Sequence, residues 1–160
     1  MDITVISDTH GDFETLYEIV SRNEASDLFI HLGDGEQEFA DVRSAFYTKA
    51  FLFVKGNNDW DDHPQNIVTE LGGVRFYMCH GHRFPRAQLS DFLSATAVAN
   101  ECRVALFGHT HVAVNENVNG VLLFNPGSTT LPRGGVPPTY GRITIDSDGN
   151  VNAVHIPIDF

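Results

Sequence analysis

The chain opens with Asp2-Ile3-Thr4-Val5-Ile6-Ser7-Asp8, an apolar run that ends in polar groups and predicts a buried β-strand. Asp12 follows after a short connection and is placed to cap a helix that runs to Arg22. Apolar side chains recur along this helix at helical spacing, at Phe13, Leu16, Ile19 and Val20. A buried strand followed directly by an amphipathic helix predicts an α/β fold.

The same alternation continues through the first half of the chain. It predicts strands at residues 27–34 and 50–55, with a helix at residues 37–46 between them. Short connections between alternating strands and helices predict right-handed crossovers. We therefore expect a parallel sheet that is covered by helices.

After Trp60 strands dominate. Gly72-Gly73 separates two apolar runs, residues 66–71 and 74–79, and predicts a hairpin with a two-residue turn. A helix is expected at residues 87–100. Further strands are expected at residues 104–107, 113–118, 121–124, 141–145 and 151–156. We expect these later strands to form a second, largely antiparallel sheet that packs against the first, so that residues 1–160 form one domain.

Composition limits the function classes. The formal net charge is -11, from 21 acidic and 10 basic residues, and such a surface would repel a long polyanion. We therefore expect no stable nucleic-acid binding, although metal ions could offset the charge of a small phosphate ester. No signal peptide or membrane-spanning run is visible, which predicts a cytoplasmic protein without membrane association. Cys79 and Cys102 flank apolar runs and predict buried free thiols.

Seven side chains that are good metal ligands stand at the ends of five apolar runs. Any one of them could equally be a capping residue, but ligands of α/β sheets bind beyond the carboxyl ends of strands, where these side chains would converge. Carboxylate, amide and imidazole groups together suit Mn, Fe, Ni or Zn better than Ca or Mg. The seven are Asp8, His10, Asp34, Asn57, His80, His109 and His111.

Five motifs, in this order, resemble the calcineurin-like metallophosphoesterase family. They are Asp8-Thr9-His10, Gly33-Asp34, Gly56-Asn57-Asn58-Asp59, His80-Gly81 and Gly108-His109-Thr110-His111. The resemblance covers Val5 through Ser128. Its His80-Gly81-His82 and Asn125-Pro126-Gly127-Ser128 elements are most similar to a small bacterial and archaeal phosphodiesterase subfamily. The family implies a four-layer αββα sandwich of two mixed β-sheets flanked by helices, with a dinuclear metal centre.

By this resemblance the ligands divide between two divalent metal ions that share Asp34 as a bridge. The first ion also takes Asp8, His10 and His111, and the second takes Asn57, His80 and His109. The family favours Mn, with Ni, Fe or Zn as alternatives. Two ions about 4 Å apart clamp a phosphoryl group and produce a bridging hydroxide at neutral pH, which attacks phosphorus.

One position departs from the wider family. Many members carry a histidine after the asparagine ligand, where it is thought to protonate the leaving group, but this chain has Asn58. An amide donates a hydrogen bond to a phosphoryl oxygen but cannot act as a general acid. His82 is the alternative acid, and a supporting or surface role for it is the favoured interpretation. This pattern predicts a preference for activated aryl phosphodiesters.

Other residues near the motifs have competing interpretations. Trp60 and Phe84 could wall a base-sized pocket, but core packing is the favoured interpretation. Arg133 could bind a phosphate oxygen or be solvated. Asp59 is expected to orient a ligand or cap a turn, and His31 to be a packed strand histidine.

The sequence therefore predicts a dinuclear-metal-dependent phosphodiesterase that acts on small phosphodiesters. A metal-dependent phosphomonoesterase is the alternative within the enzyme class, and Asn58 disfavours it. A non-catalytic scaffold is the alternative outside that class, since a retromer subunit of the same fold is thought to have lost catalysis. The complete ligand set favours catalysis, and homo-oligomerisation stays open.

Overall fold

The computed structural model describes residues 1–160 as ten strands and three α-helices. The strands are β1 (Asp2–Ile6), β2 (Leu28–His31), β3 (Phe51–Phe53), β4 (Asn66–Leu71), β5 (Val74–Cys79), β6 (Val104–Leu106), β7 (Val114–Val118), β8 (Val121–Asn125), β9 (Thr139–Ile145) and β10 (Val151–Pro157). The helices are α1 (Phe13–Arg22), α2 (Glu36–Ala45) and α3 (Leu89–Ala99), the last preceded by the 3₁₀ turn Arg86–Gln88. Each predicted strand and helix is present, with shifted ends in most cases.

The strands form two five-stranded sheets, with the orders β10-β9-β1-β2-β3 and β4-β5-β6-β8-β7. The predicted parallel pairing of the first three strands is confirmed. The expectation that all later strands build the second sheet is wrong, because β9 pairs antiparallel with β1, and β10 pairs with β9. The second sheet is mixed rather than largely antiparallel, since β6 is parallel to both β5 and β8. Periodicity in the sequence identifies a strand but not the strand it pairs with. β2 occupies one edge of β1, and β9 pairs with the other edge.

The sheets and helices stack in four layers. In β5, Phe76 and Met78 point into the core between the two sheets. Tyr77 and Cys79 alternate with them and pack under α3 on the outer face. Phe29 of β2 likewise packs under α1 and α2 on the outer face of the first sheet. This is the predicted αββα sandwich, and the alternation follows from the period of two along a strand.

The first helix begins where its cap predicts. The Asp12 carboxylate accepts hydrogen bonds from Thr15 N at 3.0 Å and from Thr15 Oγ1 at 2.7 Å. Such a cap stabilises a helix by about 1 kcal/mol. The cap also sets the direction in which the chain leaves the segment of residues 8–11.

His31 is a packed core histidine, as predicted. Its ring stacks on Phe53 with 5.2 Å between centroids, and Nδ1 accepts a hydrogen bond from Gly33 N at 3.2 Å. Nε2 therefore carries the proton and faces Thr9 Oγ1 at 3.0 Å. Burial lowers the pKa of His31 to about 4, so the ring is neutral near pH 7.

Two predictions from composition can be compared with the structure. Cys79 and Cys102 are both buried and free, as predicted. None of the three helices has the length and apolar character that crossing a membrane requires.

Candidate metal centre

The carboxyl ends of four strands from both sheets meet at one place. Each strand is followed by one or two of the predicted ligands: Asp8 and His10 after β1, Asp34 after β2, His80 after β5, and His109 and His111 after β6. A hydrogen-bond contact between His80 Nδ1 and Leu32 O, at 2.6 Å, joins the two sheets at this point. The site is therefore formed where one sheet packs on the other.

The backbone is strained at most of these ligands. Seven non-glycine residues have a positive φ angle, and five of the seven are predicted ligands with φ between 46° and 64°: Asp8, His10, Asp34, His109 and His111. A left-handed conformation costs a non-glycine residue roughly 1–2 kcal/mol. Concentration of this cost at one cluster is typical of functional sites, where the surrounding contacts hold the strained geometry.

The Asp8 carboxylate lies at the middle of the cluster and its two oxygens have different surroundings. Oδ2 accepts hydrogen bonds from Ser7 Oγ at 2.6 Å and from His109 N at 3.0 Å. Oδ1 is buried and makes no hydrogen bond. It faces three imidazole nitrogens, the Nε2 atoms of His111 at 3.2 Å and of His10 and His80 at 3.9 Å each.

The Asp34 carboxylate approaches from the neighbouring strand end. Its Oδ2 lies 3.5 Å from His80 Nε2 and 3.9 Å from His10 Nε2. The Asn58 side chain donates a hydrogen bond to Oδ2 at 2.6 Å, and the Asn58 backbone N donates to Oδ1 at 2.8 Å. Asp34 thus contacts one histidine from each predicted metal-ion set. Asp8 also faces histidines from both predicted metal-ion sets, so the two carboxylates have similar histidine neighbours.

Asn57 and His82, also predicted as site residues, make no hydrogen bond to this pair of carboxylates. Asn57 is exposed and lines the same cavity as His10 and His109, but no hydrogen bond joins its side chain to them. The His82 ring lies 5.5 Å from the His80 ring and 6.2 Å from the His109 ring, between centroids. Burial, together with the charge of His80, lowers the pKa of His82. A neutral imidazole is a poor proton donor, so its surroundings do not favour the acid role.

Charge is unevenly distributed within the cluster. Burial alone would favour neutral carboxyl groups, but His111 beside Asp8 and His80 beside Asp34 outweigh it and lower both carboxyl pKa values. Burial also opposes a charged His80, yet Asp34 and Asp8 outweigh it and raise the His80 pKa. The contact of His111 Nε2 with the Asp8 carboxylate, at 3.2 Å, raises the pKa of His111. The cluster therefore combines two anionic carboxylates with two imidazoles whose pKa values are raised.

Two buried atoms in the cluster lack the partner that their chemistry requires. Asp8 Oδ1 and His80 Nε2 make no hydrogen bond, although both side chains are fully buried and the atoms lie 3.9 Å apart. An unsatisfied buried polar group costs about 1–3 kcal/mol. A carboxylate oxygen and an imidazole nitrogen are both ligands for a divalent metal ion. The residues present fit such an ion, which would satisfy both atoms.

Backbone carbonyls orient two of the imidazoles as ligands. Nδ1 of His80 faces Leu32 O at 2.6 Å, and Nδ1 of His111 faces Leu131 O at 2.8 Å. Each Nδ1 donates its proton to the carbonyl, which directs Nε2 toward the carboxylates. A second hydrogen bond of this kind fixes the ring orientation of metal-binding histidines.

Asp59 holds the loop around Asp34, in agreement with the orienting role expected for it. Its buried carboxylate accepts hydrogen bonds from four backbone amides, those of Asp34, Gly35, Glu36 and Gly56, at 2.6–3.2 Å. Gly56 permits the close approach, because a Cβ atom there would lie 2.1 Å from Asp34 Oδ1 and 2.4 Å from Asp34 N. Any larger residue at position 56 would displace the carboxylate.

Glu38 is a supporting residue that the sequence did not reveal. It is buried on α2, and its Oε1 accepts hydrogen bonds from Thr9 Oγ1 at 2.5 Å and from Gly11 N at 2.7 Å. These two bonds hold the segment that presents Asp8 and His10. No motif marks Glu38, and the one available signal was a carboxylate near the apolar face of a predicted helix.

The segment 125–128 supports the same ligands from the other side. Ser128 Oγ donates a hydrogen bond to Asp8 O at 2.8 Å. Asn125 Nδ2 donates to Gly108 O at 2.8 Å, and His155 Nε2 contacts Asn125 O at 2.8 Å. The loop therefore lies beside the site, as the resemblance implied, and contacts the backbone of the ligand segments.

Two cavities adjoin over the ligands, and both are lined by His10, Asp34 and Asn58. The first, of about 260 Å³, is also lined by Arg86 and Arg133, and we call it the arginine cavity. The second, of about 490 Å³, is called the tryptophan cavity. Its other lining residues are Gly11, Gly35, Glu36, Gln37, Glu38, Asp59 and Trp60.

The expectation that Trp60 and Phe84 pack in the core is correct for one of them. Phe84 is half-buried and packs against the cluster under α3. Trp60 is 88% exposed and lines the tryptophan cavity, so core packing is wrong for Trp60. Its neighbours in sequence, Asp59 and Asp61, are hydrogen-bonded to other segments.

Metal binding at pH 6 is expected to release protons. The pKa values of His80 and His111 are raised above that of a free imidazole, so both rings hold protons at pH 6, whereas a metal-binding imidazole must be neutral. Metal binding is therefore expected to release protons at acidic pH, and the apparent affinity for the metal ion is expected to rise with pH. Calorimetric titration with Mn²⁺ in buffers of different ionisation enthalpy measures this release, and a heat independent of the buffer at pH 6 would contradict it.

Comparison with known proteins gives consistent matches along the chain. Residues 1–148 match the model of the calcineurin-like phosphoesterase superfamily domain. A probable metallophosphoesterase of Bacillus subtilis is 34% identical over 152 residues, which is 92% of this chain and 86% of the relative. A phosphodiesterase of Methanocaldococcus jannaschii is 27% identical over 86% of this chain and 89% of its own length.

Solved structures share the same architecture. A predicted phosphoesterase from Streptococcus pneumoniae superposes with a TM-score of 0.77 at 30% identity, covering 97% of this chain and 96% of its own. Vps29 from Entamoeba histolytica, complexed with Zn²⁺, superposes with a TM-score of 0.72 at 20% identity, covering 98% of both chains. At that lower identity the second likeness shows the fold alone.

Proposed function

Because the chain belongs to the calcineurin-like phosphoesterase superfamily, we propose that it is a dinuclear-metal-dependent phosphodiesterase that hydrolyses small phosphodiesters. The observation that carries the proposal is the pair of buried atoms without hydrogen bonds, Asp8 Oδ1 and His80 Nε2, at the junction of the two sheets. The similarity to a named phosphodiesterase supports the same reaction class.

The proposed ligands have separate tasks. Asp8 and Asp34 supply the negative charge that holds divalent cations, while the imidazoles surround them and leave one side open to the cavities. When bound, two such ions supply Lewis acidity and a hydroxide nucleophile at neutral pH. The contacts that hold the strained backbone at five ligands also keep their side chains in place before substrate arrives.

The arginine cavity offers partners for the phosphoryl oxygens. The backbone of Arg133 lies beside a proposed ligand, since its N donates a hydrogen bond to His111 O at 2.8 Å. Arg86 lines the same cavity from the turn that precedes α3. Guanidinium groups bind phosphate oxygens bidentately, so this side of the site suits the charged part of the substrate.

Asn58 makes a phosphodiester with a good leaving group the favoured substrate. Its amide lies within 2.6 Å of Asp34 Oδ2 and can hydrogen-bond a phosphoryl oxygen placed above the metal ligands, but it supplies no acidic proton. An aryloxide leaves without protonation, whereas an alkoxide requires it. The phosphomonoesterase alternative carries no independent structural support.

The test is a metal screen of the chelator-treated protein. Restoration with Mn²⁺, Ni²⁺ or Zn²⁺ is expected to give hydrolysis of bis(4-nitrophenyl) phosphate well above that of 4-nitrophenyl phosphate. Mg²⁺ is expected to be weak because it rarely uses imidazole ligands. The chelator-treated protein without added metal is the control. Inactivity with all four metals would contradict the enzyme and favour a scaffold role.

A further inference from the structure

Trp60 is the single tryptophan of the chain and stands at the edge of the proposed active site. Its side chain is 88% exposed, yet it lines a cavity that His10 and Asp34 line as well. Exposed apolar side chains are common on protein surfaces. What distinguishes Trp60 is the combination of this location with a firmly held backbone.

Both backbone groups of Trp60 are bonded to other segments. Its N donates a hydrogen bond to Glu36 Oε1 at 2.7 Å, and its carbonyl accepts one from Lys55 Nζ at 3.1 Å. Asp61 is held in the same way, by Glu36 Oε2 at 2.9 Å and by Lys55 Nζ at 2.6 Å. The preceding residue is Asp59, whose carboxylate binds four backbone amides. The loop is therefore anchored while the indole remains uncovered.

The two cavities differ in charge and therefore suit different parts of a substrate. Arg86 and Arg133 lie in the arginine cavity, whereas the wall beside Trp60 is acidic. Glu36, Glu38 and Asp59 each accept hydrogen bonds from backbone amides, and none of them forms an ion pair with Lys or Arg. A phosphate or carboxylate group would be repelled there, but an uncharged planar group would not.

We propose that Trp60 is a stacking platform for the nucleobase of a nucleotide phosphodiester, a role that rests on the proposed function. The phosphoryl group lies over the metal ligands, and the base lies flat on the indole in the tryptophan cavity. Its volume of about 490 Å³ is within the usual range for small-molecule sites. Gln37 lines this cavity and offers both a donor and an acceptor to a base edge.

The single tryptophan provides a direct readout of base stacking. The probes are AMP and ribose 5-phosphate, which carry the same phosphate and differ in the base. Titration of the Zn²⁺-loaded protein with AMP is expected to quench the Trp60 fluorescence saturably, and ribose 5-phosphate is expected to leave it unchanged. Quenching that does not depend on the base overturns the proposal.

Variants separate stacking from general effects on the protein. By calorimetry, Trp60→Ala is expected to weaken AMP binding roughly tenfold, the effect typical of losing one base–aromatic stack, without changing ribose 5-phosphate binding. Trp60→Phe is expected to keep most of the affinity. Tyr47→Ala removes another aromatic side chain that is 83% exposed, away from both cavities, and serves as the matched control. AMP affinity unchanged in Trp60→Ala overturns the proposal.

The binding assay needs no turnover, so its outcome is independent of catalysis. Base-dependent quenching by an inactive protein would support the stacking role and contradict the phosphodiesterase. Diester hydrolysis without base-dependent quenching would support the enzyme and overturn the stacking role. Because the Trp60 side chain packs against little of the protein, Trp60→Ala is expected to keep the unfolding temperature of the wild type.

Discussion

Replacing Asp34 by asparagine is expected to lower kcat for phosphodiester hydrolysis at least about 10³-fold, because metal ions supply several kcal/mol of transition-state stabilisation. Asp34 Oδ2 lies 3.5 Å from His80 Nε2 and 3.9 Å from His10 Nε2, one histidine from each proposed metal-ion set. An amide has one acceptor oxygen and no charge, so it would not bridge two cations. Paired metal binding is expected to disappear together with activity.

The two losses are measured on the same samples. Metal content per chain by mass spectrometry, together with kcat on bis(4-nitrophenyl) phosphate, tests whether they occur together. Asp62→Asn is the matched control, since it removes one carboxylate from an exposed position that lines neither cavity. Near-ultraviolet circular dichroism checks that Asp34→Asn keeps the native packing. Full activity with two ions bound would contradict Asp34 as the bridge.

Strands and turns that depend on neighbouring residues were predictable, because the sequence pattern that specifies them lies within a few residues. The hairpin strands β4 and β5 end as predicted, since Gly72-Gly73 supplies a turn with positive φ at both positions between two apolar runs. The partner of β9 was not predictable. β9 pairs with a strand that is distant in sequence, so that Ile143 lies opposite Ile3. Alternation of apolar residues does not indicate which edge of a sheet a strand joins.

The convergence of the candidate ligands was predictable for a related reason. A carboxylate or imidazole after a strand of an α/β fold lies at a known edge of the sheet, so motif order alone brings Asp8, Asp34 and His80 together. The supporting contacts were not predictable, because Glu38 has no sequence motif and acts across 27 residues on Gly11. The exposure of Trp60 depends on where Glu36 and Lys55 hold its backbone. The identity of the side chain alone does not indicate that position.

Asn58→His is expected to raise kcat for phosphodiesters with alkoxide leaving groups by about 10²-fold, at the lower end of the usual effect of a general acid. The Asn58 amide lies against Asp34 and faces both cavities, so an imidazole there would stand beside the substrate phosphoryl group. Hydrolysis of bis(4-nitrophenyl) phosphate is expected to change little, because nitrophenolate leaves without a proton. The measurement compares kcat for this aryl diester and for a dinucleoside phosphate.

A pH profile separates acid catalysis from a structural effect of the new side chain. The gain of Asn58→His is expected below the pKa of the introduced imidazole and to decline as the pH rises through it, because only the protonated ring donates. Asn58→Ala removes the amide without adding an acid, so the same gain in that variant would exclude proton donation as the cause. A gain of equal size on both substrates would also contradict the proposal, since protonation matters only for the poor leaving group. The selective gain would place the missing acid at position 58 and account for the proposed preference of the natural chain for activated esters.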